Sequence, residues 1–185
     1  MADAIAARRS PLLGLSLVKT IGAVDIADAG ACARFVYRGV PDAIGTGFGV
    51  VLPTRPLCSQ TQGLRSALWL GPDEWLLMAR DEDVAAVSAS LRGTIAGKLC
   101  SLVDISHRQT GLILSGPKAG DVLAVGCPLD LHDSAFAIGG CARTLFAKAE
   151  VVVWRLQPDV FHVEVGRSFA PYVVALMSEA IRDLA

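Results

Sequence analysis

Charge is scarce in this chain. Only 19% of its 185 residues are charged, and 17 Lys and Arg against 18 Asp and Glu leave a formal net charge of −1. Without a basic surplus there is no electrostatic footprint for nucleic acid or for an anionic membrane. Long apolar runs are missing too: no uninterrupted stretch approaches the ~20 residues of a membrane span, although 52% of the residues are hydrophobic. So much apolar material with so little charge implies a large core, or apolar surface covered by a partner chain. Paired cysteine motifs are absent. The five cysteines (Cys32, Cys58, Cys100, Cys127, Cys141) are odd in number and scattered, which fits reduced cytosolic thiols, several of them buried as small hydrophobes.

A complete catalytic set is lacking as well. Gly45-x-Gly47-x-Gly49 does not have dinucleotide-loop spacing and reads as a flexible strand entry. Ser115-Gly116-Pro117-Lys118 misses the other glycines of a phosphate loop and reads as a helix N-terminus. Cys127, His132 and Cys141 are spaced more loosely than the usual zinc ligand sets. Ser106 and His107 are adjacent, with Asp104 nearby, but neighbouring strand positions point to opposite faces and cannot form a triad. His162 lies in an alternating strand, which suggests a surface or sheet-edge place. No catalytic, cofactor-binding or metal-binding residue is assigned to this chain.

What is present is a concentrated hairpin signal. Leu68-Trp69-Leu70-Gly71-Pro72-Asp73-Glu74-Trp75-Leu76-Leu77-Met78 places two of the three tryptophans around a Gly-Pro-Asp turn. A buried Trp also needs a partner for its indole N–H, so the segment reads as a structural anchor. Further strands are expected at 34–39, 47–53, 102–106, 110–114, 142–146, 150–156 and 160–165, with 54–66 as a loop. Helices are expected from Glu82 to Leu91 behind the acidic cluster Asp81-Glu82-Asp83, after Ser115-Gly116-Pro117, and from Ser168 to Leu184. Residues 1–32 are poorly periodic and read as an extended N-terminal arm. The start, Arg8-Arg9-Ser10-Pro11-Leu12, looks only superficially like a twin-arginine signal, because its apolar run is short and broken by Gly and Ser, so a cytoplasmic protein is expected.

Pro72-Asp73 recurs as Pro158-Asp159, 86 residues later, and at that offset Trp75 meets Phe161, Val87 meets Val173 and Leu91 meets Met177. Each copy reads strand, turn, strand, helix. The expectation is one α+β domain over 33–185 with two similar hairpin-plus-helix halves, 33–100 and 101–185. The alternative is a chance alignment of common elements.

Taken together, Leu68 to Leu77 resembles the signature of the gamma subunit family of heterotetrameric sarcosine oxidases. Arg9-Ser10-Pro11-Leu12, Asp104-Ile105-Ser106, Leu114-Ser115-Gly116-Pro117, Gly126-Cys127-Pro128-Leu129-Asp130-Leu131 and Arg167-Ser168-Phe169-Ala170 follow in family-like order. The resemblance implies a fold similar to the folate-binding domain of aminomethyltransferases. It also implies a non-catalytic accessory subunit docked on a large alpha subunit, with beta and delta subunits in the same complex. Such a complex oxidatively demethylates sarcosine to glycine, giving hydrogen peroxide and, with tetrahydrofolate, methylenetetrahydrofolate. FAD, FMN, NAD, zinc and tetrahydrofolate are then expected on the other subunits and none on this chain. The alternative is a stand-alone folate-binding or one-carbon-transfer protein of the aminomethyltransferase superfamily, whose members are about twice as long.

Overall fold

The computed structural model describes residues 9–15, 17, 24–44 and 47–184. Arg8, Ser16, Val18 and Gly45, on which parts of the reading above fall, lie outside them. Ten strands and four helices follow the chain as β1 (Asp25–Asp28), β2 (Cys32–Arg38), α1 (Pro41–Ile44), β3 (Ser59–Gln62), β4 (Arg65–Gly71), β5 (Glu74–Arg80), α2 (Val84–Ile95), β6 (Ser101–Asp104), β7 (Gln109–Ser115), α3 (Ala119–Ala124), β8 (Cys141–Phe146), β9 (Ala149–Gln157), β10 (Val160–Gly166) and α4 (Ala170–Leu184). The order β-β-α-β-β-β-α therefore occurs twice. The starts of β5 and β10, their ends, and the starts of α2 and α4 are all 86 residues apart (74 and 160, 80 and 166, 84 and 170). The repeat read from the two Pro-Asp turns is structural.

Two antiparallel five-stranded sheets result, β3-β4-β5-β2-β6 and β1-β7-β10-β9-β8. Each takes its last strand from the other repeat: β1 pairs with β7, and β6 pairs with β2. The halves are thus interlocked by an exchange of first strands. Helices cover the outer faces and the inner faces meet, giving four layers. Phe35, Trp75, Leu77, Val87 and Leu91 form the core between the first sheet and its helices, while Val153, Phe161, Val163, Val173 and Met177 belong to the second. Leu68, Leu76, Met78, Ile105, Cys141 and Val152 fill the seam between sheets.

This layering explains the sequence texture. A strand covered on both faces needs no polar side, so β5 reads as the nearly continuous run Glu-Trp-Leu-Leu-Met-Ala, every residue of it buried. In α4, Ala170, Val173, Val174, Met177 and Ile181 repeat at helical spacing and are buried. The Trp75 indole donates to the Pro53 carbonyl at 2.7 Å, supplying the partner a buried Trp requires.

Four expectations are corrected. Residues 47–53 form no strand: Phe48, Val50 and Leu52 are buried and Val51 is exposed, so the side-chain alternation is real, but the backbone joins no ladder. Gly47 instead lies against α2, where a β-carbon would overlap Thr94, and Ser90 donates to its carbonyl. The loop at 54–66 contains β3, a polar edge strand without apolar alternation. His162 sits in β10, between β7 and β9, and is buried rather than at a surface or edge. Within the segment read as an arm, Asp25–Asp28 is a sheet strand, and Leu12, Val24 and Ile26 are core residues.

Candidate functional site

The seam carries the most charged chemistry in the interior. On β2, Ala33, Phe35 and Tyr37 face the helices, so Arg34 points into the seam and is completely buried. On β10, Phe161, Val163 and Val165 face α4, so His162 and Glu164 also point into the seam. The two strands belong to different sheets. Arg34 Nε and Nη2 donate to the Glu164 carboxylate at 2.6 and 2.8 Å, and Nη1 donates to the Cys32 carbonyl at 2.9 Å. His162 Nε2 lies 2.7 Å from Glu164 Oε1. A charge-assisted fork of this kind fixes both distance and orientation, so it sets how one sheet sits on the other.

The repeat explains why a single fork fits. β2 and β7 are equivalent strands, and Gly111 of β7 is the counterpart of Arg34. A β-carbon at Gly111 would lie 2.6 Å from His162 Nε2 and 2.9 Å from Glu164 Oε1. Glycine there leaves room for the His162 and Glu164 side chains of the neighbouring strand β10 to lie across it towards Arg34.

Burial by itself raises a carboxyl pKa. At Glu164 the hydrogen bond and charge of His162, with those of Arg34, outweigh that effect and hold the group down at about 2. At Arg34 burial opposes the charge, but Glu164 more than offsets it and the guanidinium pKa is raised. Because the folded carboxyl lies below its unfolded value of ~4.3, its contribution is complete above about pH 5 and is lost as pH falls towards 2. That loss is expected to reach about 3 kcal/mol. Acid titration of unfolding free energy should flatten over this window in Glu164→Gln; an unchanged pH dependence refutes the assignment.

A second tie crosses the seam between β5 and β8, where Arg143 donates to both oxygens of Glu74. That hydrogen bond, ahead of the opposing effect of burial, raises the Arg143 pKa. In the second half Arg155 ties the loop before β8 to the β9–β10 turn, donating to Phe136 O at 2.8 Å and Asp133 Oδ1 at 2.5 Å in the loop and to Pro158 O at 2.6 Å in the turn.

The residues weighed for chemistry are scattered or already engaged. The Ser106 hydroxyl accepts the Arg34 backbone N–H at 2.9 Å, Asp104 Oδ1 accepts the Ser106 N–H at 2.8 Å, and His107 is exposed. Cys127 lies in the second core and Cys141 in the seam, while His132 is exposed and bonded to Ser134. Burial pushes the Cys141 thiol up to about 12. Among the described residues no group of three or more His, Cys, Asp or Glu side chains is placed to hold a metal ion. Lys118 donates to the Leu184 carbonyl at the end of α4 rather than to a phosphate site. Sequence reasoning missed Arg34 and Glu164. Their signal was a single charge of each sign in the middle of two otherwise apolar strands.

A cavity of about 590 Å³ is a groove beside α1 lined by Pro41, Val50, Val51 and Leu52, among others. No described helix is long and apolar enough to cross a membrane.

Likeness to known proteins covers nearly the whole chain. The model of the family described as sarcosine oxidase, gamma subunit family, matches residues 30–183. Sarcosine oxidase subunit gamma of Corynebacterium sp. (strain U-96) is 28% identical over 196 residues, covering 99% of this chain and 94% of its own. The protein of the same name from Arthrobacter sp. is 29% identical over 189 residues, covering 96% and 92%. A chain of the heterotetrameric sarcosine oxidase from Corynebacterium sp. U-96, solved in complex with pyrrole 2-carboxylate, matches with a TM-score of 0.87 and 28% identity over 95% of each chain. Glycine cleavage system aminomethyltransferase T from Bartonella henselae shares the fold, with a TM-score of 0.65 at 14% identity, over 84% of this chain and 45% of that one. On the family model and these end-to-end alignments, the chain belongs to the sarcosine oxidase gamma subunit family.

Proposed function

We propose that the chain is the non-catalytic accessory subunit of a heterotetrameric sarcosine oxidase, working in the cytoplasm against a large alpha subunit with beta and delta subunits in the same complex. That complex converts sarcosine to glycine by oxidative demethylation, yielding hydrogen peroxide and, with tetrahydrofolate, methylenetetrahydrofolate. FAD, FMN, NAD, zinc and the folate are held by the other subunits. The observation that carries this reading is the match over 95% of both chains to a chain of a solved heterotetrameric enzyme. The use of the buried charges supports it: Arg34, Glu164 and His162 are spent on joining two sheets, a role in shape rather than in turnover. Five free thiols suit a reducing compartment.

Co-expression with the other three subunits tests it. A tag on this chain is expected to retain the flavin-containing large subunit in equal amounts, with sarcosine-dependent peroxide production. The chain alone is expected to be colourless and inactive. A stable monomer that ignores the large subunit overturns the reading. A stoichiometric micromolar site for a reduced folate on the isolated chain would favour the stand-alone folate-binding alternative.

A further inference from the structure

Unlike charges that are left unpaired across a small cavity form a dipolar site. A cavity of about 210 Å³ opens at one end of the seam, where the N-terminal segment, β1, β7 and the corner before α4 converge. Asp28 and Arg167 are both in its lining, both half-buried, and no ion pair joins them. Each is oriented by a neighbouring contact. Asp28 accepts Ser10 Oγ at 2.5 Å and the Gly30 N–H at 2.8 Å, while Arg167 Nη2 donates to the Arg9 carbonyl at 2.7 Å. These contacts use two of about four acceptor positions on the carboxylate and one of the five guanidinium N–H groups. Because Arg9 and Ser10 are adjacent, the two charges flank the same short stretch of chain.

A third observation concerns Gln109, in the same lining. Its Oε1 is buried and has no hydrogen-bond donor, a condition that in native proteins asks for a partner. The cavity thus offers a carboxylate, an orphan carbonyl oxygen and a guanidinium with spare donors; Arg34 lines it too, but its guanidinium is committed to Glu164 and the Cys32 carbonyl. At ~30 Å³ per water its volume corresponds to roughly seven waters, below the usual range for drug-sized ligands. The occupant must be small, must donate at one end and must accept at the other.

We propose that this cavity binds a small zwitterion of the amino-acid class, its ammonium at Asp28 and Gln109 Oε1 and its carboxylate at Arg167. A simple anion satisfies only Arg167 and is repelled by Asp28, and a simple cation meets the reverse. The inference is independent of the subunit reading, since the whole lining is supplied by this chain.

Isothermal titration of the full-length chain with glycine, acetate and methylammonium separates the cases. Saturable one-to-one binding of glycine is expected, with acetate and methylammonium each at least tenfold weaker. Arg167→Met should weaken glycine at least tenfold with an unchanged circular dichroism spectrum. Arg167→Lys, which keeps the charge without the planar fork, should fall between them and serves if the first variant does not fold. Absence of saturable glycine binding to the folded chain overturns the proposal, as does acetate binding as tightly as glycine or a variant that binds like the parent. Retention of the large subunit is unaffected by these outcomes, so failure here is distinct from failure of the subunit reading.

Discussion

Glu164→Leu is expected to destabilise the fold by about 4–5 kcal/mol, at the upper end of what breaking a buried ion pair costs. The substitution leaves Arg34, which is completely buried, with a charge it cannot discharge, because a guanidinium does not lose its proton in a protein. Arg34→Met should cost less, about 3 kcal/mol, since the remaining carboxylate keeps His162 at 2.7 Å and can also take up a proton. The double variant should be less damaging than Glu164→Leu alone, because apolar side chains of similar volume replace a desolvated pair. Denaturant unfolding of the four proteins closes a double-mutant cycle, in which groups this close should couple by about 1–3 kcal/mol. If Glu164→Leu unfolds within 1 kcal/mol of the parent, the seam is not held by this fork.

That result bears on how the sheets find one another. Their shared face is mostly apolar, with Leu68, Leu76, Met78, Ile105 and Val152, and apolar contact has little directional preference. Two forks, Arg34 to Glu164 and Arg143 to Glu74, cross it at defined residues. A one-step slip of either sheet would leave both guanidinium groups unpaired. The apolar area supplies attraction, and the ion pairs select one register.

Much of this was legible before the fold was seen, and the boundary follows locality. The β4–β5 hairpin could be read because its turn and its partner strands lie within sixteen residues, 65–80. The repeat could be read because Pro72-Asp73 and Pro158-Asp159 fix the same turn in each half. β3 escaped because Ser59-Gln60-Thr61-Gln62 is an edge strand with no apolar face to mark it. The segment 47–53 misled for the opposite reason: alternating burial of Phe48, Val50 and Leu52 needs only a core beside it, whereas a strand also needs a backbone partner. The exchange of β1 and β6 and the Arg34–Glu164 fork, 130 residues apart in sequence, depend on pairing that no local pattern encodes. At the candidate site, the individual charges were visible in their strands, but the face shared by two sheets was not.

Trp75→Ala should cost about 3–5 kcal/mol and yield protein that is insoluble or fails to assemble. The side chain is 1% exposed, stacks at a tilt 5.9 Å from Tyr37 and lies opposite Trp69 in the ladder. Truncation opens a cavity in the first core that the surrounding strands, paired on both sides, cannot collapse to fill. It also removes the indole donor to Pro53, which pins the irregular 47–53 segment to β5. Since that segment has no ladder bonds, its order depends on side-chain insertion and on side-chain hydrogen bonds to its carbonyls, from Ser90 at Gly47, from Arg65 at Phe48 and from Trp75 at Pro53. Limited proteolysis should therefore cut Trp75→Ala between residues 47 and 57 sooner than the parent. Trp75→Phe, which keeps much of the volume but loses the donor, should lose about 1–2 kcal/mol and show the same cleavage to a smaller degree. A folded, assembled complex carrying Trp75→Ala with an altered sarcosine constant would place the tryptophan in substrate handling and refute its role as an anchor.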